Sequence, residues 1–316
     1  MMKPYRVLLY EDMHAAGKEV LAAKAELVMA RSLDEASLIE QVRDVDAIII
    51  RAIGAVTARL MDAAPKLKVI GRHGVGVDAI DLEAAKARGI VVCNTPDANL
   101  ESVAEQVVGF MLAVSKQILR ADRAIRQGRW GVRYEYIGQE MYGRTLGLVG
   151  MGRIGSRVAE ICHMGFRMPI LYYDVVAYPA LEEKLQAKKV TLDEVLRQAD
   201  YVSLHIPLLP STKGLIGSDQ LAMMKPGAIL INTARGGVVD ETALVEAVES
   251  GHLGGAGLDV YAVEPTPADY PLFNLEKAVL SPHMAAHTDD ALKAMSMVAQ
   301  DVIRVLEGQE PVYRVV

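Results

Sequence analysis

The sequence predicts an α/β protein built from two doubly wound parallel-sheet domains. Three observations lead there. Short apolar runs alternate with helical patterns along the whole chain, as expected when crossover helices wind a parallel sheet. A cluster of turn formers, Asn94-Thr95-Pro96-Asp97-Ala98-Asn99, interrupts the series, which then starts afresh. The chain of 316 residues is long enough to bury two cores rather than one.

The first series has strands expected at residues 7–10, 47–50, around 69–70 and at 90–93, with a helical pattern over 17–25. A short helix over 60–64 is stopped by Pro65. After the turn cluster comes one long helical run, 102–126, with apolar residues at Val103, Val107, Phe110, Met111, Val114 and Ile118. Its apolar face is wide enough to suggest cover by more than its own domain, such as another subunit. From Gly143 a second series places strands at 146–149, 170–173, 201–204, 228–231, 257–260 and 279–280. Helices are expected at 192–198 and 242–250 and near 218–224. A terminal helix over 291–306 has no place in that second sheet and is expected to cross back to the first domain.

Composition narrows the function. The net charge of −6, without a polybasic run, argues against nucleic acid or an anionic membrane as partner. Cys93 and Cys162 are the only cysteines and form no Cys-x-x-Cys pair, so neither a disulfide framework nor a thiolate metal site is expected. His283 and His287 have a metal-like spacing but no companion ligands, and no metal is expected. No apolar run reaches membrane-spanning length and no leader pattern opens the chain, so the expected location is the cytoplasm.

The chemistry begins at Leu146-Gly147-Leu148-Val149-Gly150-Met151-Gly152-Arg153-Ile154-Gly155. A strand pattern runs into Gly-x-Gly-x-x-Gly, and a helical pattern follows. Gly150 permits the tight turn, Gly152 lets backbone approach a pyrophosphate, and Gly155 lets the helix lie close to the sheet. The next strand ends in Asp174, about 20 residues on, where a carboxylate accepts hydrogen bonds from a ribose diol and repels a 2′-phosphate. The expected cofactor is therefore NAD, on a Rossmann domain with its six strands.

Ligands of such sheets lie at the carboxyl ends of the strands. Three ends carry unusual groups: Arg235 after 228–231, Glu264 after 257–260, and His283 after 279–280. A planar guanidinium grips a carboxylate or polarises a carbonyl. An imidazole moves the hydroxyl proton, and a neighbouring carboxylate favours its imidazolium form and fixes the ring. Singly, each has a bland reading as an ion pair or loop residue; together at one edge they read as a catalytic trio for hydride transfer. His205 stands at another strand end, within reach of the cofactor. In the first domain, Arg72-His73-Gly74-Val75-Gly76 forms a second glycine-rich loop. Its N–H groups offer a nest for a substrate carboxylate, and a simple tight turn is the competing reading.

These pieces together resemble the D-isomer-specific 2-hydroxyacid dehydrogenase family, and within it the phosphoglycerate dehydrogenase branch. The resemblance covers nearly the whole chain and includes residues 71–81, 96–105, 147–155, 204–208, 232–236, 259–265 and 281–283. It implies a Rossmann NAD domain over 98–287 inserted in a flavodoxin-like substrate domain over 1–97 and 288–316, with a cleft between them. It also implies that Arg153 and Ile154 meet the pyrophosphate and that Asp259 meets the nicotinamide carboxamide. His205, Pro207, Thr233 and Ala234 complete the cofactor set, and the helix after Asn99 forms the dimer contact. Two departures stand out. Ala79 replaces the usual Asn, and Arg51 is followed by Ala52-Ile53-Gly54 rather than by hydroxyl or basic residues that hold a phosphate. Arg51, Arg72 and Arg133 remain as sources of a cationic pocket. The chain runs only a short way past its terminal helix, so a form without the family's regulatory module is expected. The leading substrate is 3-phosphoglycerate. The alternatives are a glyoxylate or hydroxypyruvate reductase, a dehydrogenase of sulfonated 2-hydroxy acids or, from another class, an NADH-sensing corepressor-like binding protein.

Overall fold

Among the described residues every pairing between strands is parallel. The computed structural model describes residues 4–316. They divide into two units: the residues up to Asn99 together with His287–Val316, and Leu100–Ala286.

The first unit begins β1 (Tyr5–Leu9), α1 (Ala15–Ala22), β2 (Ala25–Met29), α2 (Glu35–Gln41) and β3 (Ala47–Ile50). It continues α3 (Ala58–Asp62), β4 (Val69–Arg72), α4 (Leu82–Ala87) and β5 (Val91–Cys93). The sheet order β2-β1-β3-β4-β5 is that of flavodoxin-like folds. Asp34, Thr57 and Asp81 each open a helix and take an orphan N–H group with the side chain, from Ser37, Leu60 and Ala84. One strand of this unit was not expected from the sequence, nor was β8 (Lys188–Lys189) of the other. β2 (AELVM) follows α1 almost at once, and as an edge strand it has only one fully buried residue, Ala25.

The second unit opens with α5 (Leu100–Ser115) and α6 (Ile118–Arg126) and then alternates. Its elements are β6 (Leu146–Val149), α7 (Arg153–Phe166), β7 (Ile170–Tyr173), α8 (Pro179–Leu185), β8 (Lys188–Lys189), α9 (Leu192–Gln198), β9 (Tyr201–Leu204), α10 (Ser218–Met223), β10 (Ile229–Asn232), α11 (Glu241–Glu249), β11 (Gly255–Leu258) and β12 (Ala278–Leu280). The sheet order is β12-β11-β10-β9-β6-β7-β8. Counted from β6, this is the 3-2-1-4-5-6 order of a dinucleotide-binding sheet with one strand added. The chain then returns to the first unit with α12 (Asp289–Ser296) and α13 (Val298–Leu306). Val298, Ala299, Val302 and Leu306 pack on Val7, Leu9, Ile49 and Val69, closing one face of the first sheet.

Four expectations need correction. The single helix over 102–126 is two helices, because Gln117 adopts a left-handed backbone at φ 53° and breaks the ladder. The apolar face of α5 (Val103, Val107, Phe110, Met111, Val114) is already buried inside its own unit, against β10 and β11 among others. The open apolar residues are those of α6: Ile118, Leu119 and Ile125. The terminal helix likewise breaks at Met297. β11 starts two residues earlier than expected, because its glycines serve helix packing rather than a turn. A Cβ on Gly257 would stand 2.6 Å from Phe110 Cβ, and one on Gly255 would stand 2.7 Å from Val114 Cγ1.

Candidate active site

β10, β11 and β12 are neighbours in register, with Asn232 opposite Leu258 and Leu258 opposite Leu280. Their carboxyl ends therefore form one row, and the segments that follow carry Arg235, Glu264 and His283. Asn232, buried, shapes the first of them. Its Nδ2 donates to Arg235 O at 3.0 Å, and its Oδ1 accepts from Ala234 N at 3.0 Å. Gly236 has no room for a side chain, since a Cβ there would overlap the Tyr261 carbonyl carbon. That contact presses the Arg235 turn against the loop leading to Glu264.

Glu264 is fixed at both oxygens. Oε1 accepts from Tyr261 N at 2.9 Å, and Oε2 lies 2.7 Å from His283 Nδ1. Burial alone would push its carboxyl up. The hydrogen bonds from His283 and Tyr261 and the charges of His283 and Arg235 outweigh it and hold the pKa below the ordinary value. The carboxylate is thus ionised at neutral pH, paired with the imidazole and under the influence of the guanidinium. This brings the three expected residues into one cluster.

Asp259 holds the histidine loop from beneath. It is 1 % exposed and accepts from Ser281 Oγ at 2.5 Å, Met284 N at 2.8 Å and Ala285 N at 2.9 Å. Its own carbonyl takes the His283 N–H at 2.7 Å. His283 has a left-handed backbone, φ 50°, which costs a side-chain-bearing residue about 1–3 kcal/mol and persists only where neighbours over-determine it. Two α5 side chains add support: Ser102 Oγ donates to Ala285 O at 2.6 Å, and Gln106 Nε2 lies 3.4 Å from Ser281 Oγ. Sequence reading missed both, although a polar pair four residues apart within an apolar helical stripe was a usable signal.

On the same sheet, Gly150 sits at φ 97° with no space for a Cβ, which would come 2.7 Å from His205 O. Gly155 is pressed on the Gly150 carbonyl, whereas a Cβ on Gly152 would meet nothing within 4 Å. The N-terminus of α7 therefore faces open space beside Gly152, with Arg153 exposed and Ile154 half-buried. Asp174, at the end of β7, accepts from Met151 N at 2.8 Å and from Val176 N at 3.0 Å, tying the glycine turn to the second strand. His205 packs behind this turn, its Nε2 2.9 Å from Ser203 Oγ, and burial pushes its pKa down to about 3, so the ring is neutral. Pro207 is exposed, and its carbonyl accepts from Thr212 Oγ1 at 2.6 Å. After β10, Thr233 Oγ1 is buried without a hydrogen-bond partner, and Ala234 follows it half-buried. An open helix N-terminus, a glycine cradle and an orphaned hydroxyl fit a pyrophosphate-linked dinucleotide.

In the first unit, Arg72 staples its own loop, donating from Nε to Gly76 O and from Nη1 to His73 O at 2.6 Å. Gly74 sits at φ 123°, and its N–H donates to Thr95 Oγ1 at 3.2 Å. The His73 imidazole turns inward, 2 % exposed, with Nε2 3.1 Å from Ser296 Oγ; burial first, then the charge of Arg51, pushes its pKa down to about 4. Val75 and Gly76 are half-buried on the loop. Arg51 donates from Nη1 to Asp12 O at 3.0 Å, and its Nη2 lies 3.2 Å from His287 Nε2. Arg133 belongs to the second unit, exposed over the Tyr134 ring. Among the described residues no His, Cys, Asp and Glu cluster fits a metal ion, and no helix is long and apolar enough to cross a membrane.

Residues 108–285 match the D-isomer specific 2-hydroxyacid dehydrogenase, NAD binding domain family, over more than half of the chain. The chain belongs to this family. It is 40 % identical over 306 residues to D-3-phosphoglycerate dehydrogenase of Methanocaldococcus jannaschii, covering 96 % of this chain and 58 % of that protein. It is equally, 40 %, identical over 319 residues to glyoxylate reductase of Korarchaeum cryptofilum, covering 98 % of this chain and 95 % of the other. The chain thus spans little more than half the length of the phosphoglycerate dehydrogenases it matches and nearly all of the reductase. Among solved structures, the TT0316 protein of Thermus thermophilus superposes with a TM-score of 0.92 at 38 % identity, covering 98 % of this chain and all of the other. The family match makes NAD the cofactor class of the second unit, in line with the open α7 N-terminus and Asp174.

Proposed function

We propose that the chain catalyses reversible hydride transfer between NAD and C2 of a small (R)-2-hydroxy acid, giving the 2-oxo acid. The observation that carries this is the His283–Glu264 pair at 2.7 Å with Arg235 acting on the same carboxylate. Gly150, Gly152, Arg153, Ile154 and Gly155 would hold the pyrophosphate, Asp174 the ribose diol, and Thr233 and Ala234 the nicotinamide side. Bound NADH supplies the hydride in the reducing direction. Because Nδ1 of His283 faces Glu264, Nε2 is the nitrogen that exchanges a proton with the substrate oxygen. The ionised Glu264 stabilises the imidazolium that donates that proton and, in the oxidising direction, the one that forms. Arg235 presents its fork to the substrate carboxylate and carbonyl oxygen. In the first unit the Gly74 N–H is taken by Thr95, leaving Val75 and Gly76 as N–H donors for a substrate carboxylate.

The relatives divide between phosphorylated and unphosphorylated substrates, so 3-phosphoglycerate and glyoxylate or hydroxypyruvate are both members of the proposed class. As part of the same reading, two copies pair through the open residues of α6, Ile118, Leu119 and Ile125, and the enzyme works in the cytoplasm. Sedimentation of Ile125→Asp as a monomer would support the pairing. For the reaction, NADH consumption is followed with a panel of 2-oxo acids. Turnover of at least one, lowered about 10²–10⁴-fold in His283→Ala with NADH affinity retained, is the expected result. Cofactor binding without turnover of any acid would favour the sensor reading, and an unchanged rate in His283→Ala would remove His283 from the mechanism.

A further inference from the structure

Glu264 stands on a loop with little packing to hold it: Ala262, Val263, Glu264 and Pro265 are all exposed. Its carboxylate keeps one oxygen on Tyr261 N and the other against His283 Nδ1, so its place depends on polar anchors. The N–H groups of Tyr261 and Ala262 are consecutive donors, and they serve different carboxylates. Tyr261 N goes to Glu264 itself, whereas Ala262 N donates to Glu241 Oε1 at 2.8 Å.

Glu241 is the first residue of α11, a nine-residue helix capped by Asp240, which accepts from Thr242 N and Ala243 N. Leu244 and Val248 bury this helix in the core cluster that also holds Tyr261, Tyr270 and Leu272. The second Glu241 oxygen accepts from Tyr270 OH. Burial first, then this bond, pushes the Tyr270 pKa up to about 12, so the phenol keeps its proton and stays a donor. The Tyr270 ring meets the Tyr261 ring edge-on, with 5.9 Å between centroids and 85° between planes. Tyr261 OH donates in turn to Ser281 O at 3.0 Å, two residues before His283. One chain of contacts thus runs from a packed helix through Glu241 to the segment bearing Glu264, and on to the segment bearing His283.

We infer that Glu241 is a positioning residue for the proposed reaction: through the Ala262 N–H it holds the exposed loop on which Glu264 meets His283. The inference rests on the hydroxy-acid reading given above and adds to it a residue that acts only by way of Glu264.

The test is a double-mutant cycle on kcat/KM with a 2-oxo acid that the enzyme reduces. Glu241→Ala removes the anchor and should lower kcat/KM about 10- to 100-fold, the cost of a shift of about 1 Å at a reacting group. In a Glu264→Ala background the same substitution should cost less than about twofold, because the group being placed is gone. Glu241→Gln keeps an oxygen for Ala262 N and turns its amide nitrogen toward the Tyr270 oxygen, and should stay within about threefold of the wild type. Tyr270→Phe keeps the ring in the core and frees one Glu241 oxygen. It should lose about threefold, again only where Glu264 is present, and it replaces Glu241→Ala should that variant not fold. Equal losses with and without Glu264, or a Glu241→Gln as impaired as Glu241→Ala, would overturn the inference. If no acid is turned over at all, the reaction reading falls and nitrogen NMR of the His283 ring decides the role of Glu241. The Nδ1 resonance, which reports the bond to Glu264, should move in Glu241→Ala and hold in Glu241→Gln; a resonance unmoved in Glu241→Ala would overturn the inference.

Discussion

Replacing Asp259 by Asn separates the support of His283 from its chemistry. The carboxylate is fully buried and receives three hydrogen bonds, from Ser281 Oγ, Met284 N and Ala285 N. Asn keeps the volume and one oxygen, which can still serve Ser281 and Met284. Its amide nitrogen then meets the Ala285 N–H, donor against donor. Losing the charge weakens the two surviving bonds, since bonds to ionised groups contribute roughly 1.5–3 kcal/mol against about 1 for neutral ones, and an orphaned buried N–H costs a further 1–3 kcal/mol or so. The sum is a loss of about 3 kcal/mol. The bond from His283 N to Asp259 O survives, so the loop shifts rather than unfolds, and a displacement of about 1 Å at a reacting group costs on the order of a hundredfold in rate. Urea unfolding of the variant, followed by circular dichroism, should show the lost stability, and kcat should fall. A variant with full stability and an unaltered kcat would refute the view that this carboxylate holds the histidine loop.

Three other substitutions test separate features. Asp174→Ala should reduce the preference for NAD over NADP by roughly tenfold or more, because it removes the charge that faces a 2′-phosphate; identical selectivity would refute the ribose assignment. His73 is neutral in the fold, so protonation opposes folding. The stability it contributes is complete above pH 6.5 and is lost as pH falls from 6.5 toward about 4, by an amount on the order of 3 kcal/mol. His73→Gln should remove that part of the acid-side slope in urea midpoints measured across this range. Gly236→Ala should destabilise the second unit and depress activity together, since the new Cβ meets the Tyr261 backbone rather than a movable side chain; a normal melting temperature would show that the two loops are not held by that contact.

Much of this was legible in the chain because it follows from simple periodicities. Strands such as β3 and β9 are buried at every residue, and their apolar runs stand out. Arg235, Glu264 and His283 could be grouped because each closely follows such a run, and parallel strands put those ends on one edge. Other features left weak traces. β8 is two exposed lysines, and β11 is half glycine, which in sequence reads as a turn. The break at Gln117 carries no Gly or Pro; its left-handed backbone is held by contacts such as Gln117 Nε2 to Ile137 O at 2.8 Å. Asp259 could be named but not understood, because its partners lie more than 20 residues away. Glu11, whose Oε2 accepts from Ala52 N and Ile53 N, gave no signal at all, since those groups approach it only once β1 and β3 pair.

The first unit is assembled from two stretches of chain with the whole second unit synthesised between them. Val7, Leu9, Ile49 and Val69 have no cover on one face until the residues of α13 emerge, and β5 lacks the neighbour that Val315 provides through its bond to Val92 O at 2.7 Å. The second unit, continuous from Leu100 to Ala286, has no such wait. On the ribosome the order of maturation is therefore the reverse of the order of translation: the nucleotide-binding half completes itself first, and the earliest-made sheet stays sticky until the very end.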